Sequence, residues 1–185
     1  MHAYPGERAF DVAVSMTGCA LFMPLAATIA VAIWLEDGGS PLFVQPRVGR
    51  ARRPFAILKF RSMRDEQVTL VGRWLRRTGL DELPQFINVL RGDMSVVGPR
   101  PLTRDDIARL GWCDSELDWR FDCKPGITGP SQLFAGQGAV ASRALDQQYL
   151  AEQSLLNDAR LVALSFAANL VGKRRIKRWL QELED

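Results

Sequence analysis

Asp81 and Glu82 are adjacent carboxylates at the start of an apolar helical run, with Pro84 close to its first turn. The free N–H groups and dipole of a helix N-terminus favour the charged form of such acids. A pair in this place can simply begin a helix. It can also do chemistry, because a carboxylate is ionised at pH 7 and attacks without a separate base. Its oxygens are also ligands that Mg²⁺ prefers.

The acidic pair lies in a strongly basic part of the chain. Residues 42–104 contain 13 basic and 5 acidic residues. The basic side chains around the pair are more numerous than two carboxylates require: Lys59, Arg61, Arg76, Arg77, Arg91 and Arg100. Arginine offers several N–H donors that match phosphate oxygens. This block therefore predicts the handling of a phosphorylated substrate.

Scarce residues restrict the possible chemistry. His2 is the only histidine, and the three cysteines are an odd number without a C-x-x-C pair. These counts argue against histidine-based catalytic triads, histidine zinc sites and a disulfide framework. An enzyme of this composition would use carboxylates and Lys or Arg, with a bound metal.

The chain begins with an apolar segment. No charged residue lies in the 24 positions between Asp11 and Glu36. A helix of this length is about 36 Å long, enough to cross a hydrocarbon core of roughly 30 Å. Pro24 at its middle removes a backbone donor and leaves halves too short to span alone. Two interpretations follow, a kinked spanning helix or a broken helix that enters and leaves by the same face.

The remaining pattern predicts an α+β fold, mostly helical, with short strands. Strands are predicted at residues 43–44 and 55–60, a helix at residues 69–77, and one long helix over residues 144–171, with a possible interruption near Asn157. The organisation is a membrane-inserted segment, 1–36, broken at Pro24, and a catalytic domain, 37–185. The arginines that follow the apolar segment predict that this domain faces the cytoplasm. Residues 172–180 predict a basic amphipathic C-terminal helix, either on anionic headgroups or solvated.

Five motifs occur in a fixed order, at residues 59–63, 80–85, 88–95, 97–101 and 125–129. Together they resemble the bacterial sugar transferases, the monotopic polyprenyl-phosphate phosphoglycosyl transferases. The similarity runs from about residue 8 to about residue 173. It corresponds to the family's minimal catalytic unit, a re-entrant membrane hairpin with a small cytoplasmic domain at the bacterial inner membrane.

The resemblance implies a reaction. Such enzymes transfer a sugar-1-phosphate from a nucleotide diphosphosugar, usually a UDP-sugar, to polyprenyl (undecaprenyl) phosphate, and so initiate lipid-linked glycan synthesis. They use Mg²⁺ and a covalent intermediate. By resemblance Asp81 is the nucleophile, and Glu82, with Asp81, helps to hold Mg²⁺. The partners implied are the nucleotide sugar, the polyprenyl phosphate and membrane lipid, with a homodimer plausible.

The resemblance also suggests substrate-binding residues. Lys59 and Arg100 match basic residues expected near the phosphates, and Gln132 matches a polar residue expected near the substrate. Arg61 and Arg76 join this set because of the density of basic residues around the acidic pair. Sugar specificity is expected at residues 132–138.

Two departures and two alternatives stay open. Met23 stands where the family usually has a serine before the proline, which leaves the re-entrant geometry open. The Trp-Ala-Gln that commonly follows the last motif is Pro-Ser-Gln here, at residues 130–132, so only the glutamine is kept. One alternative function is a basic, helix-turn-helix-like nucleic-acid-binding module around Gly79, although it leaves the apolar head unexplained. The other is a catalytically inactive membrane scaffold.

Overall fold

The computed structural model describes residues 4–113, 115–133 and 138–171. The predicted composition, mostly helical with short strands, is confirmed. The helices are α1 (Glu7–Asp37), α2 (Leu70–Thr78), α3 (Gln85–Arg91), α4 (Arg104–Arg109), α5 (Pro130–Leu133), α6 (Gly138–Ala151) and α7 (Leu155–Val171). The strands are β1 (Leu42–Val48), β2 (Pro54–Phe60), β3 (Met63–Arg64), β4 (Gln67–Val68), β5 (Ser95–Val97) and β6 (Gly126–Thr128).

The apolar head is one continuous helix, α1, with Pro24 inside it. The backbone is helical on both sides of Pro24, and the break predicted there stays a prediction, because a proline can bend a helix sharply without interrupting the run of helical residues. A proline removes a single backbone donor, and the turns on both sides keep their hydrogen bonds. The Thr28 hydroxyl donates to the Pro24 carbonyl at 3.0 Å, a side-chain bond of the type that bends helices.

Much of α1 is exposed and apolar, as a helix in lipid requires. Leu21 and Met23 are 69% and 65% exposed, and α1 is long and apolar enough to cross a membrane. Few of its residues are buried within the protein, which is unlike the core helix of a soluble domain. This supports membrane association.

The N-terminal half of α1 is tied to the rest of the protein by polar contacts. The Asp11 carboxylate accepts hydrogen bonds from the Ser95 hydroxyl and the Val96 N–H, both at 2.8 Å. The Arg8 guanidinium donates to the carbonyls of Val89 and Leu90 at 2.6 and 2.7 Å. These bonds fix the beginning of α1 against β5 and the end of α3.

The C-terminal half of α1 is held by the same folded unit. Ile29 and Ile33 form a buried cluster with Phe60 of β2 and Leu75 of α2. The Glu36 carboxylate accepts the Leu70 N–H at 2.7 Å and so caps α2. Both halves of α1 are therefore docked on one domain.

Two small sheets complete the frame. The predicted strands form an antiparallel hairpin in which β1 pairs with β2, from Leu42 opposite Phe60 to Val48 opposite Pro54. β5 and β6 are parallel, and their residues lie in the main core with those of α6 and α7. This arrangement brings residues 95–101 and 125–129 side by side.

The C-terminal helical region differs from its prediction. α6 ends at Ala151 and α7 begins at Leu155, so the interruption lies before Asn157. Ser154 causes the restart, because its hydroxyl accepts the Asn157 N–H at 3.3 Å, as an N-cap residue does. The predicted basic C-terminal helix, residues 172–180, lies outside the described residues.

Candidate active site

Asp81 and Glu82 occupy a separate 3-10 turn, Leu80–Glu82, between α2 and α3. α2 ends at Thr78, and Gly79 adopts a left-handed conformation with φ of 73°, which glycine reaches without the strain that a Cβ would cause. The pair therefore precedes α3, which begins at Gln85, instead of forming its first turn. Both side chains are half-buried.

Lys59 of β2 completes a charged centre with the pair. Its Nζ atom donates to Glu82 Oε1 at 2.8 Å. Burial raises the pKa of Asp81 above its usual range, and the adjacent Glu82 charge adds to this effect. Lys59 and Arg76 act in the opposite direction by favouring the carboxylate. The site thus holds a half-buried carboxylate whose charge depends on its cationic neighbours.

Asn88 fixes the position of this centre. It is fully buried on α3, and its side chain accepts the Leu58 N–H at 2.9 Å and donates to the Ala56 carbonyl at 2.7 Å. These two bonds lock α3 to β2 in one register. Because Lys59 is the next residue of β2, the same bonds set its reach toward Glu82.

The other predicted substrate-binding residues lie in different surroundings. Arg61 pairs with the Asp37 carboxylate at the end of α1, so its guanidinium is engaged in a structural contact. Arg76 lies in the exposed last turn of α2, within electrostatic range of Asp81. The Gln132 amide donates toward the carbonyls of Gly98 and Gly126 at 3.4 and 3.3 Å, where the β5 and β6 chains meet.

Arg100 is exposed on the loop that follows β5. Arg47 of β1, which the sequence analysis did not assign to the site, connects this loop to the acidic pair. Burial and the charge of Arg100 lower the pKa of Arg47, whereas Asp106 and Glu82 oppose this change. Arg47 is thus within electrostatic range of both Arg100 and Glu82. It precedes the pair by more than thirty residues, and no local pattern marks it.

The donor set fits a magnesium ion shared with a phosphorylated substrate. No group of three or more His, Cys, Asp or Glu side chains forms a cation site within the described ranges. Asp81 and Glu82 supply two adjacent carboxylates on one turn. Mg²⁺ is commonly bound by one or two carboxylates plus substrate phosphate oxygens, and it keeps several waters. The protein's own residues therefore match a metal that arrives with a diphosphate.

The arrangement of α2 and α3 argues against the nucleic-acid alternative. A recognition helix presents its N-terminal residues to base edges. Gln85, the first residue of α3, is only 2% exposed, and Asn88 and Val89 are fully buried. The start of α3 is therefore occupied by the protein's own core.

Comparisons with known proteins agree with the motifs. A sequence model described as bacterial sugar transferase matches residues 3–172. The undecaprenyl-phosphate glucose phosphotransferase of Komagataeibacter xylinus is 36% identical over 90% of this chain and 36% of its own length. The UDP-glucose:undecaprenyl-phosphate glucose-1-phosphate transferase of Caulobacter vibrioides is 39% identical over 84% of this chain and 66% of its own length. The chain thus spans less than two-thirds of either relative.

A shorter relative is matched along most of its length. The exopolysaccharide production protein ExoY of Rhizobium meliloti is 35% identical over 84% of this chain and 81% of its own length. The family match and this relative both include the turn with the acidic pair and the loop of Arg100.

Proposed function

This chain belongs to the bacterial sugar transferase family, and on that premise we propose that it transfers a sugar-1-phosphate from a UDP-sugar to undecaprenyl phosphate. The observation that carries the proposal is the half-buried Asp81–Glu82 pair beside Lys59. Relatives named for glucose, galactose and N-acetylgalactosamine transfer to undecaprenyl phosphate give the substrate classes. The product would begin a lipid-linked glycan such as an exopolysaccharide.

The chemistry follows from a carboxylate that attacks phosphorus. An Asp81 oxygen bonds to the phosphorus that bears the sugar, the bond from that phosphorus to the bridging oxygen breaks, and UMP leaves. A phosphate oxygen of the lipid then attacks the same phosphorus, and the bond to Asp81 breaks. The carboxylate is restored and a lipid diphosphosugar is formed. No bond to the anomeric carbon changes, so the configuration of the sugar is retained.

Neighbouring residues would support these two displacements. Glu82 and Asp81 would hold Mg²⁺, which supplies charge neutralisation for the diphosphate when it is bound. Lys59 favours the ionised, nucleophilic form of Asp81 against the effect of burial, and it fixes one oxygen of Glu82. Arg100 has no ion-pair partner among the described residues, and its exposed guanidinium is suited to bind the diphosphate.

The docking of α1 supports a re-entrant membrane topology with the domain on the cytoplasmic side. A spanning helix would carry its two ends to opposite faces of the bilayer. Here Asp11 near the start and Ile33 near the end both contact the same folded domain. The exposed middle of the helix, around Leu21 and Met23, would then lie deepest in the lipid. This topology brings the site to the surface where a polyprenyl phosphate presents its headgroup.

A direct assay tests the proposal. The protein, purified in detergent, is given Mg²⁺, undecaprenyl phosphate and in turn UDP-glucose, UDP-galactose and UDP-N-acetylgalactosamine, and UMP is measured. We expect lipid-dependent UMP with at least one donor and none with Asp81→Asn. Asp65→Asn is the matched control, because Asp65 has a 92% exposed side chain outside the site. Absence of UMP with every donor, or full activity of Asp81→Asn, would falsify the proposal. The first result would favour the inactive scaffold, and the second would indicate another nucleophile.

A further inference from the structure

Every backbone carbonyl of the loop that carries Arg100 accepts a hydrogen bond from another part of the protein. The Pro99 carbonyl accepts the Gly126 N–H at 3.0 Å, and the Leu102 carbonyl accepts the Val48 N–H at 2.9 Å. The carbonyls of Arg100 and Pro101 lie between these two backbone bonds and are not paired with a strand. Each of them accepts a hydrogen bond from an arginine side chain.

Arg120 holds the first of these carbonyls. Its Nη2 atom donates to the Arg100 carbonyl at 2.8 Å. The guanidinium is fixed from its other sides by an ion pair from Nε to Asp146 at 3.2 Å and by the Trp112 ring, 5.0 Å away. The side chains of Arg120 and Asp146 are only 5% and 1% exposed. The bond to the loop is therefore made by a cation that has little freedom to move.

Arg47 holds the second carbonyl. Its Nη1 atom donates to the Pro101 carbonyl at 3.2 Å and lies 3.3 Å from Asp106. Its Nη2 atom donates to the Gln45 side chain at 2.6 Å. Arg47 and Arg120 thus donate hydrogen bonds to successive backbone carbonyls of the loop. Only a planar guanidinium can satisfy a carboxylate and a carbonyl in this fixed manner.

The side chain of Arg100, on the segment that these two arginines hold, is free to bind a ligand. Arg100 is exposed, and its guanidinium makes no hydrogen bond to any residue that the structure describes. Arg100 also lies close to Arg47 and Arg120. Burial is the largest cause of the lowered pKa of each of these two arginines, and the charge of Arg100 lowers it further. Arg47 and Arg120 are paired with Asp106 and Asp146, so Arg100 is the member of this group whose charge is left for an anion.

We propose that Arg47 and Arg120 are positioning residues that clamp the loop of residues 98–102 so that Arg100 meets the diphosphate of the sugar nucleotide in a fixed orientation. This inference rests on the proposed function, because it takes the diphosphate as the ligand of Arg100. The energetic role of the clamp is preorganisation. A loop that is already ordered loses little conformational entropy when Arg100 binds the phosphates.

A double-mutant cycle separates positioning from general stabilisation. Arg120→Lys keeps a cation beside Asp146, which avoids a buried unpaired carboxylate, but loses the fork that reaches the loop. Arg47→Lys does the same beside Asp106. Each is made alone and together with Arg100→Ala, and kcat/KM for UMP release and the unfolding temperature are measured. Asp146→Leu combined with Arg120→Met replaces the buried pair by apolar groups if the lysine variant fails to fold.

Positioning and structural roles give different results. We expect each lysine variant to lower kcat/KM by about tenfold in the native background and by less than about twofold when Arg100 is already alanine. The matched controls are Arg109→Lys, which loses a bond to Asp106, and Arg52→Lys, which loses a pair with Asp118, because neither arginine contacts the loop. Both should leave kcat/KM unchanged. Equal losses in the two backgrounds would overturn the clamp.

A binding measurement keeps this test distinct from the test of function. The affinity for UDP with Mg²⁺ is measured by calorimetry for the same set of proteins. We expect UDP affinity to fall in Arg120→Lys and Arg47→Lys, with no further fall once Arg100 is alanine. If the native protein releases no UMP but shows this pattern, the proposed transfer fails and the clamp stands. If UMP is released and UDP affinity is unchanged in the lysine variants, the clamp fails and the transfer stands.

Discussion

The Nζ atom of Lys59 lies 2.8 Å from Oε1 of Glu82, although the two residues are 23 positions apart in the chain. The contact joins β2 to the turn of the acidic pair. It leaves Glu82 with one oxygen held by the protein, and it brings a positive charge close to Asp81. The ionisation of the proposed nucleophile therefore depends on a residue from another element.

Lys59→Met should raise the pKa of Asp81 further, because Lys59 is one of the charges that lower it. A higher pKa means that a larger fraction of Asp81 is protonated at a given pH. The acid limb of the pH–rate profile for UMP release should move to higher pH, and the rate at pH 7 should fall. Lys59→Arg keeps the charge and should shift the limb little. A limb that is unmoved in Lys59→Met would contradict the electrostatic role.

Asn88→Ala should destabilise the protein by about 2–3 kcal/mol. The change removes three side-chain hydrogen bonds, one of them to Asp93, and leaves the Leu58 N–H and the Ala56 carbonyl without their partner. Thermal unfolding in detergent measures the loss. The control is Asn157→Ala, because its recorded hydrogen bond uses the backbone N–H alone. Equal unfolding temperatures for the two variants would show that Asn88 does not lock α3 to β2.

Asp106 predicts a pH-dependent contribution to stability. Partial burial alone would raise its pKa, but bonds from Thr103 and the charges of Arg47 and Arg109 lower it overall. Because its pKa is lower in the folded protein, the Asp106 carboxylate stabilises the fold at pH values above its unfolded-state pKa of about 3.9. This contribution is lost as the pH falls through the folded-state pKa. Asp106→Asn should therefore unfold at a lower temperature at pH 7, and the gap to the native protein should narrow toward pH 3.

Asp105→Asn is the control for that comparison. Asp105 is exposed and belongs to the same first turn of α4. Its variant should unfold close to the native temperature at both pH values. A gap for Asp106→Asn that stays constant with pH would mean that its effect does not come from the carboxylate charge.

The docking of α1 predicts that both of its ends are labelled from the same face of the membrane. Single cysteines at Pro5 and Ser40, two exposed positions on either side of α1, are introduced after the native cysteines are replaced. A membrane-impermeant maleimide should label both positions in inverted vesicles and neither in intact cells. Labelling of Pro5→Cys alone in intact cells would establish a spanning helix and remove the re-entrant topology.

The sequence predicted those parts of the fold whose signal is local. Runs of apolar and aromatic residues around an Arg-Gly turn indicated the β1–β2 hairpin, which the structure confirms. The interruption expected near Asn157 is present but begins earlier, after Ala151, because Ser154 caps the start of α7. The break expected at Pro24 stays a prediction, because a helical run on both sides of a proline is compatible with a bend at that residue.

The candidate site likewise contains residues that a local pattern identifies and residues that only tertiary contacts identify. The acidic pair was identifiable because its two carboxylates are adjacent and lie in a basic block. The engagement of Arg61 by Asp37 could not be foreseen, because an arginine in a basic block has no local sign of its partner. Arg47 and Arg120 were missed for a related reason. Their role is defined by backbone carbonyls of a loop that only the tertiary structure brings to them.

The order in which α1 finds its partners has a consequence for synthesis of the protein. The residues of α1 leave the ribosome before those of the domain, yet Ile29 and Ile33 pack on Phe60 and Leu75, and Asp11 requires the backbone of residue 96. Until those residues have been made, lipid is the only surroundings that can bury the apolar side chains of the helix. Under the proposed membrane topology, insertion of α1 therefore precedes folding of the domain, and the folded domain then closes over a helix that is already in place. A chain released without a membrane would lack one wall of its own core.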